Sequence, residues 1–228
     1  QIFDTLDQTA VVRECLAELN LDQKRFDPSS ILASISRAKD RLLTPSQYSD
    51  EASDFWEKKV AQVYARYQGK LEKNNAMDFD DLIMLTVMLL QNYKEVREKY
   101  QSRFAYIMVD EYQDTNHAQY ELVHLLAAAH GNLCVVGDED QSIYAFRGAD
   151  IRNILEFEKD FPQAKVIKLE ENYRSTKCIL GAANSVIAHN TERKPKELWT
   201  SNPQGEEVIF FQGETERHEA AFIGDQIG

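Results

Sequence analysis

Two adjacent carboxylates, Asp110 and Glu111, directly follow a short apolar run at residues 106–109. Nucleotide hydrolysis needs this combination, because one carboxylate can hold Mg²⁺, often through water, while its neighbour orients or deprotonates the attacking water. Acidic pairs at the end of a strand are also common in solvated turns, and a short motif match carries a real risk of being accidental. Taken by itself, the pair leaves both interpretations open.

A second segment follows the apolar run at residues 133–136 and ends in Gln141. A glutamine amide can donate a hydrogen bond to the γ-phosphate of ATP, so this residue is a candidate sensor of the intact nucleotide. Tyr144, Phe146 and Arg147 come next, and two rings beside a cation are typical of a platform for stacked bases of single-stranded nucleic acid. The alternative is an ordinary loop whose aromatic rings cover the core.

A third segment begins at Glu170 and carries Arg174 at the predicted start of a helix. An arginine in that position can clamp a phosphate or act as an arginine finger. The alternative is a surface ion pair with Glu170 or Glu171. The three segments occur in order and at the spacing of a domain, so together they favour a nucleotide site over three unrelated turns.

Short apolar runs separated by helical patterns must position these segments. The runs at residues 106–109, 133–136 and 166–169 alternate with helical stretches, which predicts βαβ units and a parallel sheet covered on both faces. Ligands of such sheets bind beyond the carboxyl ends of the strands, where the three segments lie. A further strand is predicted at residues 208–211. The predicted fold class is α/β.

The first third of the chain has a different pattern. Residues 1–74 contain no strand signal, and apolar residues recur with helical period from Val11 to Leu19. Directly after this part, Asp78 is predicted to cap an apolar helix that continues through Leu90. The chain is therefore predicted to combine an all-helical part with the α/β part.

The net charge argues against a simple basic nucleic-acid binder. The 228 residues include 26 basic and 38 acidic side chains, so the formal charge is −12, whereas phosphate binding needs clustered Lys and Arg. The acidic side chains are unevenly distributed along the chain. Residues 1–74 carry 11 basic and 12 acidic side chains, whereas residues 75–168 carry 9 basic and 16 acidic side chains. The excess therefore lies mostly where the candidate metal-binding carboxylates are.

Cysteine usage and hydropathy exclude several other classes of protein. Cys15, Cys134 and Cys178 are far apart and form no C-x-x-C pair, which supports neither a zinc site nor a disulfide framework. The longest apolar run, residues 82–90, is far shorter than the roughly 20 residues of a membrane span. We expect a cytoplasmic protein with no membrane contact.

The motifs resemble one known family. The strings VDEYQDTN (109–116), VVGDEDQSIYAFRGAD (135–150) and LEENYRST (169–176) are similar to consecutive helicase motifs of the superfamily 1 UvrD/PcrA/Rep group, and NNAMDFDD (74–81) also resembles that group. The resemblance covers essentially the whole chain. It implies a motor with two RecA-like domains of the P-loop NTPase fold, which hydrolyses ATP, moves 3′ to 5′ on single-stranded DNA and unwinds duplex DNA in repair or replication.

By matching position, the resemblance implies a role for each candidate residue of the ATP site. Asp110 would coordinate Mg²⁺, and Glu111 would act as catalytic base beside the metal. Gln141 would sense the γ-phosphate of ATP. Arg174 would reach the same phosphate from the second domain, and Tyr173 is similar to the residue that stacks on adenine.

The resemblance assigns DNA contact to Tyr144, Phe146 and Arg147, the motif that links the ATP site to DNA bases. Well-known members carry tryptophan where this chain has Phe146. The smaller ring can still stack, so we expect the role to persist with a weaker base contact. Single-stranded DNA and junctions of single- and double-stranded DNA are the implied partners, and protein partners are not implied.

The family's motif order also implies a division of the chain. Residues 1–74 resemble the helical insertion of the first RecA-like domain, residues 75–168 its second half, and residues 169–228 the start of the second RecA-like domain. By its pattern alone, the helical part is better explained as a plain helical bundle, since a fold does not specify a function. The resemblance suggests that it contacts DNA near the duplex junction.

A phosphate-cradling loop of the form G-x-x-x-x-G-K-[ST] is not found within the 228 residues. The Gly69–Lys70 pair lies inside a helical pattern and is followed by Leu71, so it supplies neither the backbone nest nor the hydroxyl for Mg²⁺. We therefore expect this sequence to be an internal fragment of a helicase. We also predict that the 228-residue chain does not hydrolyse ATP at a helicase-like rate. DNA-stimulated turnover by the purified chain, abolished by Glu111→Gln, would contradict this prediction.

A second function class stays open from the sequence. The chain could derive from a helicase that has lost its motor and serves as a non-catalytic module binding nucleic acid or protein. The intact carboxylate pair, the glutamine and the arginine favour the helicase, because a decayed motor would not be expected to keep all of them.

Overall fold

The computed structural model describes residues 1–191, 193 and 196–227. The chain divides into two units, residues 1–162 and residues 163–228. The first unit contains helices α1 (Thr5–Glu18), α2 (Pro28–Asp40), α3 (Pro45–Glu51), α4 (Phe55–Lys73), α5 (Phe79–Asn92) and α6 (Lys94–Arg103), strand β1 (Ile107–Val109), helix α7 (His117–Ala127), strand β2 (Leu133–Val135), and the short helices α8 (Arg152–Leu155) and α9 (Phe157–Asp160). The second unit contains α10 (Lys177–Ile187) and α11 (Glu216–Ile227).

Helices α1 to α4 confirm the prediction that residues 1–74 are helical. Their first turns are capped by side chains: Asp4, Asp27, Thr44 and Asp54 each accept hydrogen bonds from backbone N–H groups that would otherwise be unpaired. The buried apolar faces of α1, α2 and α4 form one hydrophobic core, which includes Val12, Leu16, Ile31, Ile35, Val60, Tyr64, Tyr67 and Leu71. Burial of these side chains accounts for the packing of the helices.

Helix α5 begins where the sequence predicts. Asp78 is its N-cap, and the Asp78 side chain accepts a hydrogen bond from the N–H of Asp81, while the Asp81 side chain accepts one from the N–H of Asp78. This reciprocal pair is a capping box with aspartate at both positions. Asp80 and Asp81 lie in the first turn, where the helix dipole favours negative charge.

The two predicted strands that precede the carboxylate and glutamine segments are confirmed. β1 and β2 pair in parallel, with Ile107 opposite Leu133 and Val109 opposite Val135. Helix α7 provides the crossover between them, as a parallel pair requires. The carboxyl ends of both strands therefore lie at the same edge of this small sheet.

The predicted strands at residues 166–169 and 208–211 are wrong for the described residues. Neither segment pairs into a strand, and Ile167 and Phe210 are 68% and 87% exposed. An extended segment becomes a strand only when a neighbour satisfies its N–H and C=O groups. Backbone pairing in this unit instead joins Glu171 to Trp199 as an isolated parallel bridge. The described residues are thus mostly helical with a small parallel sheet.

None of the described helices combines the length and the apolar composition that a membrane span requires.

Candidate functional site

The ends of β1 and β2 bring the first two predicted segments together. The N–H of Val136 donates to the carbonyl of Val109 over 2.8 Å, and the N–H of Tyr112 donates to the carbonyl of Val136 over 3.0 Å. These bonds continue the strand pairing past the last regular strand residues. As a result, Asp110 and Glu111 follow β1 at the edge where the loop towards Gln141 leaves β2.

Asp110 and Glu111 are both exposed, and the backbone of Glu111 is unusual. Its φ of 49° lies in the left-handed region, which costs a residue other than glycine about 1–2 kcal/mol. The N–H of Glu111 donates to the Asp110 carboxylate over 2.9 Å, which supports this geometry. Strained backbone held by its surroundings is frequent at active sites, and here it occurs at the second of two neighbouring exposed carboxylates.

Gln113 connects the two strand ends, and the sequence motifs did not single it out as a functional residue. Its side chain is 1% exposed. The Gln113 amide donates to Oε2 of Glu111 over 2.9 Å, and its carbonyl oxygen accepts from the N–H of Asp138 over 3.0 Å. A glutamine within an acidic run at a strand end was the available signal, but only the fold reveals which groups it reaches.

Gln141 closes a 3₁₀ turn, Glu139–Gln141, which is separated from the end of β2 by residues 136–138. Its side-chain amide donates to Oδ2 of Asp138 over 2.8 Å, while Oδ1 of the same carboxylate accepts from the N–H of Asp140 over 3.0 Å. The candidate sensor is exposed, and its amide is directed by Asp138. Its position relative to the carboxylate pair is therefore set by side-chain hydrogen bonds as well as by the strand.

Residues 144–150, which we call the aromatic loop, hold the predicted stacking residues. The ring centroids of Tyr144 and Phe146 are 6.0 Å apart, and the rings are tilted by 51°. The guanidinium carbon of Arg147 lies 5.3 Å from the Tyr144 centroid and 5.8 Å from that of Phe146, within cation–π range. Phe146 is 76% exposed, so its ring does not cover the core, which was the alternative interpretation.

Asp40, the last residue of α2, lies against both the start of α7 and the aromatic loop. Its Oδ1 accepts a hydrogen bond of 2.6 Å from the side chain of Asn116, the N-cap of α7. Its Oδ2 lies only 2.8 Å from where a Cβ would stand at Gly148, whose φ is +89°. Any other residue at that position would be strained and would collide with the carboxylate. Sequence patterns gave no sign of this contact.

An open cleft of about 500 Å³ lies beside Asp40. It is lined by Arg37, Asp40, Arg41, His117, Gly148, Asp150 and Arg152. Two of the three arginines already have carboxylate partners, since Arg41 pairs with Glu51 and Arg152 with Asp150. The cleft is therefore a mixed-charge surface adjoining the aromatic loop.

Asp40 gives the unit a pH-dependent stability that can be measured. Burial, and secondarily the charge of Asp80, raises the pKa of Asp40 from 3.8 to about 6. The folded chain therefore takes up a proton between about pH 6 and 4 that the unfolded chain does not, which stabilises the fold as the pH falls. Relative to Asp40→Asn, the wild type should gain about 1–2 kcal/mol in free energy of unfolding between about pH 7.5 and 4.5.

Urea unfolding of both chains at the two pH values measures this difference. A difference between wild type and Asp40→Asn that is independent of pH would show that Asp40 titrates normally. Asp50→Asn, at an exposed aspartate of α3, is the control and should leave the pH dependence unchanged.

Tyr173 and Arg174 belong to the second unit. The side chain of Asn172 accepts from the N–H groups of Arg174 and Ser175 over 3.0 and 2.8 Å, which shapes the turn before α10. Both candidate side chains are exposed, and the hydroxyl of Tyr173 donates to Glu171 over 2.7 Å.

The surface ion pair considered for Arg174 does not form. In the part of the chain that the structure describes, Arg174 pairs with neither Glu170 nor Glu171. The carboxylate of Glu171 instead accepts the tyrosine hydroxyl, which raises the pKa of Tyr173.

The donor set at the end of β1 suits Mg²⁺. No described group of three or more His, Cys, Asp and Glu side chains is arranged to hold a metal ion. Mg²⁺, however, is usually held by one or two carboxylates together with substrate phosphates and water. Asp110 and Glu111 supply hard oxygen ligands of that kind, so the residues present fit the ion that the motifs imply.

Comparison with known proteins identifies two family regions in the chain. Residues 1–162 match the family model of the UvrD/REP helicase N-terminal domain, and residues 167–228 match that of the UvrD-like helicase C-terminal domain. The boundary between the two matches falls close to the boundary between the two structural units.

Two curated relatives are similar over nearly the whole chain. The ATP-dependent DNA helicase PcrA of Staphylococcus aureus (strain Mu50) is 55% identical over 222 residues, which is 97% of this chain. The protein of the same name from Staphylococcus epidermidis (strain ATCC 35984) is 54% identical over 226 residues, or 99% of the chain. The chain spans about 30% of the length of these relatives.

Proposed function

Because the chain belongs to the UvrD/REP helicase family, as its motifs predicted, we propose that it is part of an ATP-dependent DNA helicase. The enzyme that contains it, here called the complete helicase, would translocate 3′ to 5′ on single-stranded DNA and unwind duplexes in repair or replication. One observation carries the proposal: adjacent parallel strand ends bring Asp110 and Glu111 to the same sheet edge as the loop bearing Gln141.

We propose a RecA-like architecture for this arrangement. Residues 75–168 would form the second half of the first RecA-like domain, with residues 1–74 as its helical insertion. Residues 169–228 would begin the second RecA-like domain. The parallel pairing of β1 and β2 through α7, with the polar segments beyond the strand ends, supports the assignment.

ATP hydrolysis would use the residues at the strand ends in three roles. Asp110 would hold Mg²⁺, which stabilises the charge that develops on the phosphates. Glu111 would accept the proton of the attacking water, with its carboxylate held by the Gln113 amide. Gln141 would donate its amide to the γ-phosphate and so report whether ATP is intact.

Tyr173 and Arg174 would complete the nucleotide site from the second domain. The exposed tyrosine ring offers a face for adenine, and the arginine offers a planar, permanently charged group that binds phosphate oxygens. Asn172 supports these roles, because its side chain fixes the turn that carries both residues.

Single-stranded DNA would be bound by the aromatic loop. Tyr144 and Phe146 present rings for stacking, with Arg147 as the adjacent cation. In a chain of net charge −12, such contacts can bind DNA through a few placed groups, without a broad basic surface. This accounts for a nucleic-acid partner despite the acidic composition.

Replacing Phe146 by alanine should weaken binding of single-stranded DNA by the complete helicase. Loss of one stacked ring is worth about 1–3 kcal/mol, or roughly a 5- to 150-fold increase in Kd. Fluorescence titration with a labelled oligonucleotide measures the change. Phe146→Trp should bind at least as tightly as wild type, and unchanged affinity and translocation for Phe146→Ala would exclude this residue from DNA contact.

The alternative is a non-catalytic module that binds nucleic acid or protein. ATP turnover by the complete helicase, with and without single-stranded DNA, distinguishes the two functions. A helicase hydrolyses ATP faster when DNA is added and separates a duplex with a 3′ single-stranded tail. Binding of DNA without any turnover would establish the module instead.

A further inference from the structure

A continuous set of hydrogen bonds joins the proposed catalytic base to the proposed phosphate sensor. Gln113 donates to the carboxylate of Glu111 over 2.9 Å and accepts from the N–H of Asp138 over 3.0 Å. The carboxylate of Asp138 in turn accepts from the side-chain amide of Gln141 over 2.8 Å. We call these four residues the strand-end network. Asp138 has no role in the chemistry proposed above, and Gln113 enters that chemistry only as the residue that holds Glu111.

Burial and hydrogen bonds restrict the side chain of Gln113 to one orientation, so it can fix the orientation of the groups it contacts. The side chain is 1% exposed, and a Cβ at Gly137 would approach its Oε1 to 2.6 Å, so the glycine makes room for the contact. The hydroxyl of Ser142 donates to the backbone carbonyl of Gln113 over 3.3 Å, which ties the loop after β2 to the same residue. A buried amide with its donor and acceptor both used has one stable orientation.

Asp138 links Gln113 to Gln141, because its backbone N–H bonds the first and its side-chain carboxylate bonds the second. Its N–H is held by Gln113, and its carboxylate accepts from the N–H of Asp140 and from the Gln141 amide. A glutamine amide has two hydrogens, so Gln141 can keep one bond to Asp138 and offer the other hydrogen to a phosphate oxygen. The carboxylate thereby orients the amide before nucleotide arrives.

We propose that Gln113 and Asp138 are positioning residues that couple Glu111 to Gln141, so that the base and the phosphate sensor are aligned as one unit. This inference rests on the proposed function, because it assigns partners to the residues of that same site. Neither positioning residue touches the reacting atoms. Each acts through the group it holds, and the alignment matters most in the transition state, when both held groups must engage the γ-phosphate and the attacking water at once.

The test measures single-stranded-DNA-stimulated ATP turnover by the complete helicase. Gln113→Ala and Asp138→Ala should each lower kcat by about 10- to 100-fold, the usual cost of losing a residue that orients a metal-site ligand. The KM for ATP should change less than about 3-fold, since misalignment removes transition-state stabilisation and spares ground-state binding. Gln113→Glu keeps an oxygen for the Asp138 N–H but loses the donor to Glu111, so its kcat should fall as far as that of Gln113→Ala.

A double-mutant cycle separates coupling from two independent effects. Since either substitution interrupts the same network, the variant carrying both Gln113→Ala and Asp138→Ala should turn over within about 3-fold of the slower single variant. A loss equal to the product of the two single losses would overturn the proposal. If Gln113→Ala does not fold, Gln113→Glu takes its place in the cycle, and the same two outcomes decide.

A control variant, the wild type and the Glu111→Gln variant together separate failure of the coupling from failure of the proposed function. Gln119→Ala is the matched control, because Gln119 also bonds a backbone N–H, that of Asn116, at the start of α7, but lies outside the network; its kcat should stay near the wild-type value. If the wild-type complete helicase shows no DNA-stimulated ATP turnover, the proposed function itself fails. If Glu111→Gln leaves turnover intact, the assignment of Glu111 as the base fails. If Glu111→Gln abolishes turnover while the Gln113 and Asp138 variants match wild type, only the coupling fails.

Discussion

Replacing Glu111 by glutamine should lower DNA-stimulated ATP turnover of the complete helicase by about 10²- to 10⁴-fold, the range that general-base catalysis typically contributes. The substitution keeps the shape of the side chain and leaves an oxygen that can accept the hydrogen bond from Gln113. It removes the group that takes the proton of the attacking water. Binding of ATP and DNA should persist, because neither depends on that proton transfer.

The matched control for this experiment is Glu98→Gln, which makes the same chemical change on α6. Glu98 is exposed and pairs with Lys94 over 3.5 Å, an interaction worth little at a surface. Its turnover should match that of wild type. Turnover of Glu111→Gln within about 10-fold of wild type would show that another group is the base.

The parts of the site that the sequence predicted are those encoded by neighbouring residues. A short apolar run followed by Asp110 and Glu111 specifies both a strand and what lies beyond it. The same holds for Gln141 after the second run. Their meeting at one edge follows from the parallel pairing that the intervening helix α7 permits. Such local patterns are readable because strand ends and caps depend on a few consecutive residues.

Contacts between distant segments could not be predicted in this way. Asp40 meets Asn116 and Gly148 across 76 and 108 positions of the sequence, and no periodicity connects them. The bond from Gln113 to the N–H of Asp138 spans 25 positions and likewise depends on the strand register. These contacts are the ones that hold the candidate residues in place.

The wrong strands have a related cause. The runs at residues 166–169 and 208–211 have β-forming composition, but a strand exists only when a neighbour satisfies its backbone groups. Composition therefore predicted the tendency of these runs to form strands, but it could not show whether a neighbouring strand is present to pair with them. The prediction for residues 133–136 held because β1 provides a neighbour with matching register.

Lys39 illustrates a long-range contact with a large energetic consequence. Its ammonium is fully buried and lies 2.6 Å from Asp78 and 2.8 Å from Asp81, the two members of the α5 capping box. The hydroxyl of Tyr67 donates to Asp78 over 2.9 Å, and the amide of Gln68 donates to Asp81 over 3.2 Å. The sequence predicted the cap at Asp78 but not the cation, which comes from α2.

Replacing Lys39 by methionine should lower the free energy of unfolding by about 3–5 kcal/mol, because it leaves two buried carboxylates without their cation. Urea unfolding of the 228-residue chain measures the loss. Lys58→Met, at an exposed position of α4, should change stability by no more than about 0.5 kcal/mol. Adding Asp78→Asn and Asp81→Asn to Lys39→Met should restore most of the stability, since asparagine still caps a helix and carries no charge. A loss below about 1 kcal/mol for Lys39→Met would mean that the carboxylates are satisfied without the lysine.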